Sequence, residues 1–115
     1  MDNEMMDSGK ILIYQNEKGD TKIDVYFDGD TIWISQRTMA ELYQVDVRTI
    51  NEHIVDIYAD GELDEDRTIR NFRIVRTEGT RQVNRKIKHY NLDMILAVGY
   101  RVRSHVGMHF RKWAI

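Results

Sequence analysis

The chain has 115 residues, 42% hydrophobic and 31% charged, which suits one folded domain with a modest core and excludes a disordered chain. It contains no cysteine, so a disulfide framework, a cysteine-based zinc site and a thiol nucleophile are excluded, and a reducing cytoplasm is the expected setting. The net charge of −2 hides a segregation: residues 1–66 carry 17 acidic and 5 basic side chains, residues 67–115 carry 2 acidic and 12 basic.

In chain order, the acidic start Met1-Asp2-Asn3-Glu4 is unlike a secretory signal, and residues 1–10 read as a frayed leader ahead of one domain over 11–115. No apolar run approaches the ~20 residues that span a bilayer, so no membrane contact is expected. Ile11-Leu12-Ile13-Tyr14 predicts a first strand, followed by a turn at Glu17-Lys18-Gly19-Asp20. Residues 21–27 alternate with period two, which puts Ile23, Val25 and Phe27 on one face and Lys22, Asp24 and Tyr26 on the other. Asp28-Gly29-Asp30 predicts a hairpin turn, and Thr31-Ile32-Trp33-Ile34 returns. The result is a small antiparallel meander with one buried face.

At Ser35 the period changes to that of a helix. Ser35 caps a helix to about Gln44, with Met39, Leu42 and Tyr43 on one stripe and Ala40 beside them. Asp46 caps a second helix from Val47 to about Asp60, carrying Ile50, Ile54, Ile57 and Tyr58 at helical spacing, and Gly61 ends it. After the acidic connector Glu62 to Asp66, strands are predicted at about 68–76 and 82–90, linked by Thr77-Glu78-Gly79-Thr80. Asn91 then caps a helix, and apolar spacing continues through Val98, Val102 and Val106 to Phe110 and Trp113 as two helices broken near Ser104 or Gly107. The fold class is therefore α+β: a β-meander, a helix-turn-helix, a basic hairpin in a winged-helix-like layout, and C-terminal helices. The chain stops inside a predicted helix, so it reads as the N-terminal part of a longer protein.

Residues 36–55 fit the helix-turn-helix spacing: Ala40 is small where the helices must touch, and Ile50 follows ten positions later. Gln44 stands where such turns favour glycine, because the backbone there must be left-handed. In this motif the second helix offers its N-terminal residues to the major groove. Arg48 can bridge guanine O6 and N7, Asn51 can pair with adenine, and His53 lies beside them. Gln36, Arg37 and Thr49 can hold phosphates. The helix pair itself is acidic, with Arg37 and Arg48 against Glu41, Asp46, Glu52, Asp56 and Asp60. The hairpin supplies the missing charge: Arg76, Arg85, Lys86 and Lys88 are its candidate phosphate contacts, and Glu78 is the lone carboxylate between residues 67 and 88. The expected partner is double-stranded DNA, with a homodimer as the expected assembly.

Several stretches resemble the RhuM family of bacterial proteins. They are Ile32-Trp33-Ile34-Ser35-Gln36, Met39-Ala40-Glu41-Leu42-Tyr43, Thr49 to Ile54, and Gly61-Glu62-Leu63-Asp64. Tyr90-Asn91-Leu92-Asp93, Val98 to Val102 and Phe110-Arg111-Lys112-Trp113-Ala114 extend the likeness through the C-terminal half. The resemblance implies a virulence-associated prokaryotic protein that binds DNA. The C-terminal block is also similar to the N-terminal domain of phage antirepressor-type proteins, which implies a regulator derived from a mobile element. Where the family commonly carries Gly-Val-Ser in the turn, this chain has Gln44-Val45-Asp46, which keeps an N-cap and adds a negative charge.

Other constellations carry less. His105 and His109 share a helical face, but Val106 stands where a zinc protease needs glutamate. The carboxylates of Glu62, Asp64, Glu65 and Asp66 read as a solvated loop rather than a Mg²⁺ site. Trp33, Tyr100, Phe110 and Trp113 read as core or dimer contacts. No catalytic residue, metal or cofactor is expected. The rival to DNA binding is a protein-interaction domain of a toxin–antitoxin or phage-related system, the acidic half of one protomer meeting the basic half of another.

Overall fold

The computed structural model describes residues 9–15, 22–102 and 113, with side chains for 23–75, 77–102 and 113. Strands β1 (Gly9–Gln15), β2 (Lys22–Asp28) and β3 (Thr31–Ser35) come first. Helices α1 (Gln36–Tyr43) and α2 (Val47–Ala59) follow, then a helical turn, α3 (Glu65–Thr68). Strands β4 (Ile69–Glu78) and β5 (Arg81–Asn91) and helix α4 (Leu92–Val102) complete the described elements. The α+β class is as expected.

The main departure concerns the hairpin. It is not a separate unit beside the meander: β5 pairs with β3, giving one antiparallel sheet in the order β1-β2-β3-β5-β4. Trp33, Ile34 and Ser35 lie opposite Asn91, Tyr90 and His89. Smaller corrections follow at the element ends. Gly9 and Lys10, expected in the leader, pair with Asp28 and Phe27 in β1. Thr68 belongs to α3, where it donates to the Asp64 carbonyl at 2.8 Å, instead of opening the strand. The predicted turn at 17–20, the break near Ser104 or Gly107, and the His105 and His109 pair lie outside the described residues. No described helix is long and apolar enough to cross a membrane.

Local chemistry explains where each helix starts and stops. Ser35 Oγ accepts the Thr38 N–H at 3.1 Å, and Asp46 Oδ1 accepts the Arg48 N–H at 2.9 Å, so both predicted N-caps are made. Asn91 Oδ1 accepts from Met94 N–H at 3.2 Å and caps α4. Gln44, at φ 57 and ψ 48, is left-handed as its place in the turn requires, and its N–H closes α1 on the Ala40 carbonyl. Gly29 and Gly79 have positive φ at the first central position of their two-residue hairpin turns, where the matching of turn twist to strand twist favours glycine.

The core lies between one sheet face and α1, α2 and α4. It gathers Val25, Ile34 and Tyr90 from the sheet with Met39, Leu42, Tyr43, Ile50, Ile54, Ile57, Met94, Ile95 and Val98 from the helices. Tyr43 Oη donates to the Ile95 carbonyl at 2.6 Å, and α4 can come that close because residue 99 is glycine. A Cβ there would stand 2.5 Å from Tyr43 Oη.

The prediction of a single buried sheet face is corrected. On the opposite face Trp33, Phe72 and His89 are also buried. Phe72 sits with ring centres 4.5 Å from His89, 5.3 Å from Tyr26 and 6.3 Å from Trp33. Arg70 covers the Trp33 and Phe72 rings and pairs with Asp28. Conversely Phe27, predicted inward, is 38% exposed, and Tyr100, at 63% exposure, is not a core residue.

Candidate nucleic-acid interface

The helix-turn-helix is formed as the spacing predicts. Ala40 and Ile50 both enter the core where α1 meets α2. Three residues separate the helices, and the Val45 N–H reaches the Ala40 carbonyl at 3.1 Å across the turn.

On α2, Arg48, Asn51, Glu52 and Val55 are all exposed, and their spacing of three, four and seven puts them on one stripe. Arg48 and Asn51 therefore stand together on the solvent side. Thr49 is half-buried, and His53 turns away from this stripe. His53 lines a groove between α2 and α4 with Glu62, Ala97, Tyr100 and Arg101. Arg101 there bonds Glu62 Oε1 at 3.0 Å and Asp60 Oδ2 at 3.3 Å. Gln36 is half-exposed and Arg37 exposed at the start of α1.

The hairpin extends well past β3. Only His89–Asn91 of β5 pair with β3, whereas β4 and β5 stay paired from Asn71↔Lys88 to Glu78↔Arg81. Those eight pairs make a two-stranded arm about 25 Å long at ~3.4 Å per residue. Alternation divides it into two unlike faces. Lys86 and Lys88 share the parity of Tyr90, the helix-side face, and across the ladder stand Arg73 and Asn71. Lys86 and Lys88 are exposed and make no ion pair among the described residues.

Arg85 is on the other face. Its guanidinium grips Glu78 with Nη2 at 2.8 Å and Nε at 3.2 Å, and this hydrogen-bonded carboxylate holds its pKa above the ordinary value. The proposed basic set is thus split: Lys86 and Lys88 share one face, and Arg85 is paired with Glu78 on the other. Arg76 stands opposite Val83 in the ladder, and its side chain lies outside the described ones. What local reading missed is that Arg73 and Asn71 join Lys86 and Lys88. The two-residue turn at Gly79-Thr80 is the signal that fixes this register.

Where β3 ends, the sheet forks, and α1 packs against both β2 and β5. The cleft left there is lined by Asp24, Tyr26, Thr38, Glu41, Ile87 and His89, among others. His89 Nδ1 lies 2.8 Å from the Ile87 carbonyl. Burial pushes the imidazole pKa below its ordinary value and outweighs that hydrogen bond. Among the described residues no three His, Asp or Glu side chains converge to hold a metal.

A mixed domain with a helix-turn-helix and a cationic two-stranded arm is the class this geometry defines. Residues 67–115 match the Virulence protein RhuM family, a segment similarity that falls in the C-terminal half of the chain. The match takes in β4, β5 and α4. No curated protein and no solved structure matches the chain.

Proposed function

We propose that the chain is a duplex-DNA-binding domain, working as a transcriptional regulator or as the targeting part of a larger virulence-associated or mobile-element protein. The observation that carries this reading is the path β3–α1–α2–β4–β5, with β5 returning to pair beside β3. That path joins a helix-turn-helix to a cationic hairpin through a shared sheet, as in a winged helix. The left-handed Gln44 and the burial of both Ala40 and Ile50 in the core support the first part, and the carboxylate-free face of Lys86 and Lys88 supports the second. Dimerisation adds the affinity that one helix-turn-helix lacks.

One observation favours the rival protein-interaction reading. Glu52 and Asp56 on α2 and Asp60, Glu62, Glu65 and Asp66 after it are all exposed, an acidic surface that a second copy's cationic arm can meet. Charge reversal at Lys86 and Lys88 separates the two readings. Fluorescence anisotropy with labelled random duplexes, paired with sedimentation velocity, reads both consequences. DNA binding predicts that the variant loses duplex affinity and keeps its sedimentation coefficient. Loss of an oligomer by the variant, with no duplex binding by the wild type, would establish the rival instead.

A further inference from the structure

We propose that the β4–β5 arm, rather than helix α2, reads the bases, lying in the major groove as a two-stranded ribbon. This rests on the DNA-binding reading and assigns the reading head within it.

The composition of the arm's helix-side face is the first observation. The ladder places Asn71 against Lys88, Arg73 against Lys86, Val75 against Asn84 and Thr77 against Gln82. These are side chains that read base edges: amides for adenine, cations for guanine or phosphate, and a small apolar group for the thymine methyl. Seven of the eight are exposed and Arg73 is half-buried. Val75 is 59% exposed although it is apolar, which a merely solvated strand face does not require. Alternation sends the arm's single carboxylate, Glu78, to the other face with Val83 and Ile87.

The size of the arm is the second observation. Two strands ~4.8 Å apart fit the ~12 Å major groove, and two-stranded ribbons are an established way of reading it. A reach of about 25 Å spans most of a helical turn of DNA.

The third is the charge of the competing element. The exposed stripe of α2 sets Arg48 against Glu52, with Asp56 exposed one position beyond Val55. Phosphates line both walls of the groove, and at ~0.1 M salt, charges within about 10 Å of them are not screened out. With Asp56 counted, this side of α2 carries a net charge of −1 and is repelled there, whereas the ribbon face, with Lys86 and Lys88 and no carboxylate, is attracted. In this arrangement Arg37 and Arg48, at the starts of α1 and α2, hold phosphate at the groove edge and set the register of the arm.

The test is selection of preferred duplexes from a random pool by the whole chain, followed by affinity measurements on the winner and its single-base variants. Wild type, Asn84→Ala and Asn51→Ala are compared. The ribbon reading predicts that Asn84→Ala loses about tenfold or more of the discrimination at one or two base pairs while keeping salt-dependent binding to random DNA. Asn51→Ala keeps the wild-type preference. A preference erased by Asn51→Ala and untouched by Asn84→Ala overturns the proposal and returns the reading to α2. Binding without any preference in the wild type overturns base reading but leaves DNA binding standing. No binding at low salt removes the DNA-binding reading as well.

Discussion

Gln44 holds a backbone conformation that costs an L-residue about 1–2 kcal/mol, yet the turn between α1 and α2 requires it. Gln44→Gly should therefore raise stability by up to about 1 kcal/mol, the gain being reduced by glycine's greater entropy loss on folding. Urea denaturation midpoints measure this, and a lower midpoint would contradict the strain. Gly99 is the converse case, tied to packing. Gly99→Ala places a methyl 2.5 Å from Tyr43 Oη in a core with no slack, and should cost about 1–3 kcal/mol. Tyr43→Phe in the same chain should recover part of that loss, because it removes the atom that clashes. His89 gives a pH signature. Its folded pKa lies below the unfolded value near 6.5, so the neutral ring is the form that folds. Stability from this group is complete above pH ~6.5 and falls as the pH drops toward the folded pKa. His89→Phe should flatten that slope relative to wild type, with Asp24 and Glu41 across the cleft common to both proteins.

At the scale of elements, the helix-turn-helix was legible because its determinants are local. The cap residues Ser35 and Asp46, the apolar spacing of Ile50, Ile54 and Ile57, and the small Ala40 all fall where the helices form. The hairpin was half legible. Its turn and strands follow from Gly79 and from alternation, but the reach of the strands to Glu78 and Arg81 depends on cross-strand pairing that no single window contains. Alternation within the strand already sets Arg85 apart from Lys86 and Lys88, whereas its pairing with Glu78 depends on the turn. This yields a prediction on the arm. Lys88→Ala should weaken duplex binding and Arg85→Ala should not, since Arg85 is engaged with Glu78 on the other face. Equal loss from both variants would mean that the arm presents its other face. On α2, Glu52→Gln should strengthen binding to all duplexes alike by removing repulsion. A changed base preference in that variant would place the glutamate at a base edge.

The whole molecule joins its two charge halves only in part. Asp28–Arg70, Asp64–Arg67 and the Asp60–Arg101–Glu62 cluster pair acidic residues with basic ones. Lys86 and Lys88 on the arm remain outside these pairs, and under the proposed function they meet the phosphates. Pairing of Ile34 with Tyr90 builds that surface, and it joins residues too far apart for any periodicity to reveal. The aromatic group of Trp33, Phe72 and His89 on the second sheet face was illegible for the same reason, since its members come from three strands. The most direct test of the account is the salt dependence of duplex affinity for wild type and for Lys86→Ala/Lys88→Ala. The account predicts a steep negative log–log slope for wild type and a slope shallower by about 1.8 for the variant, from two lost phosphate contacts at ~0.9 each. An unchanged slope, or no duplex binding by the wild type at low salt, would contradict it.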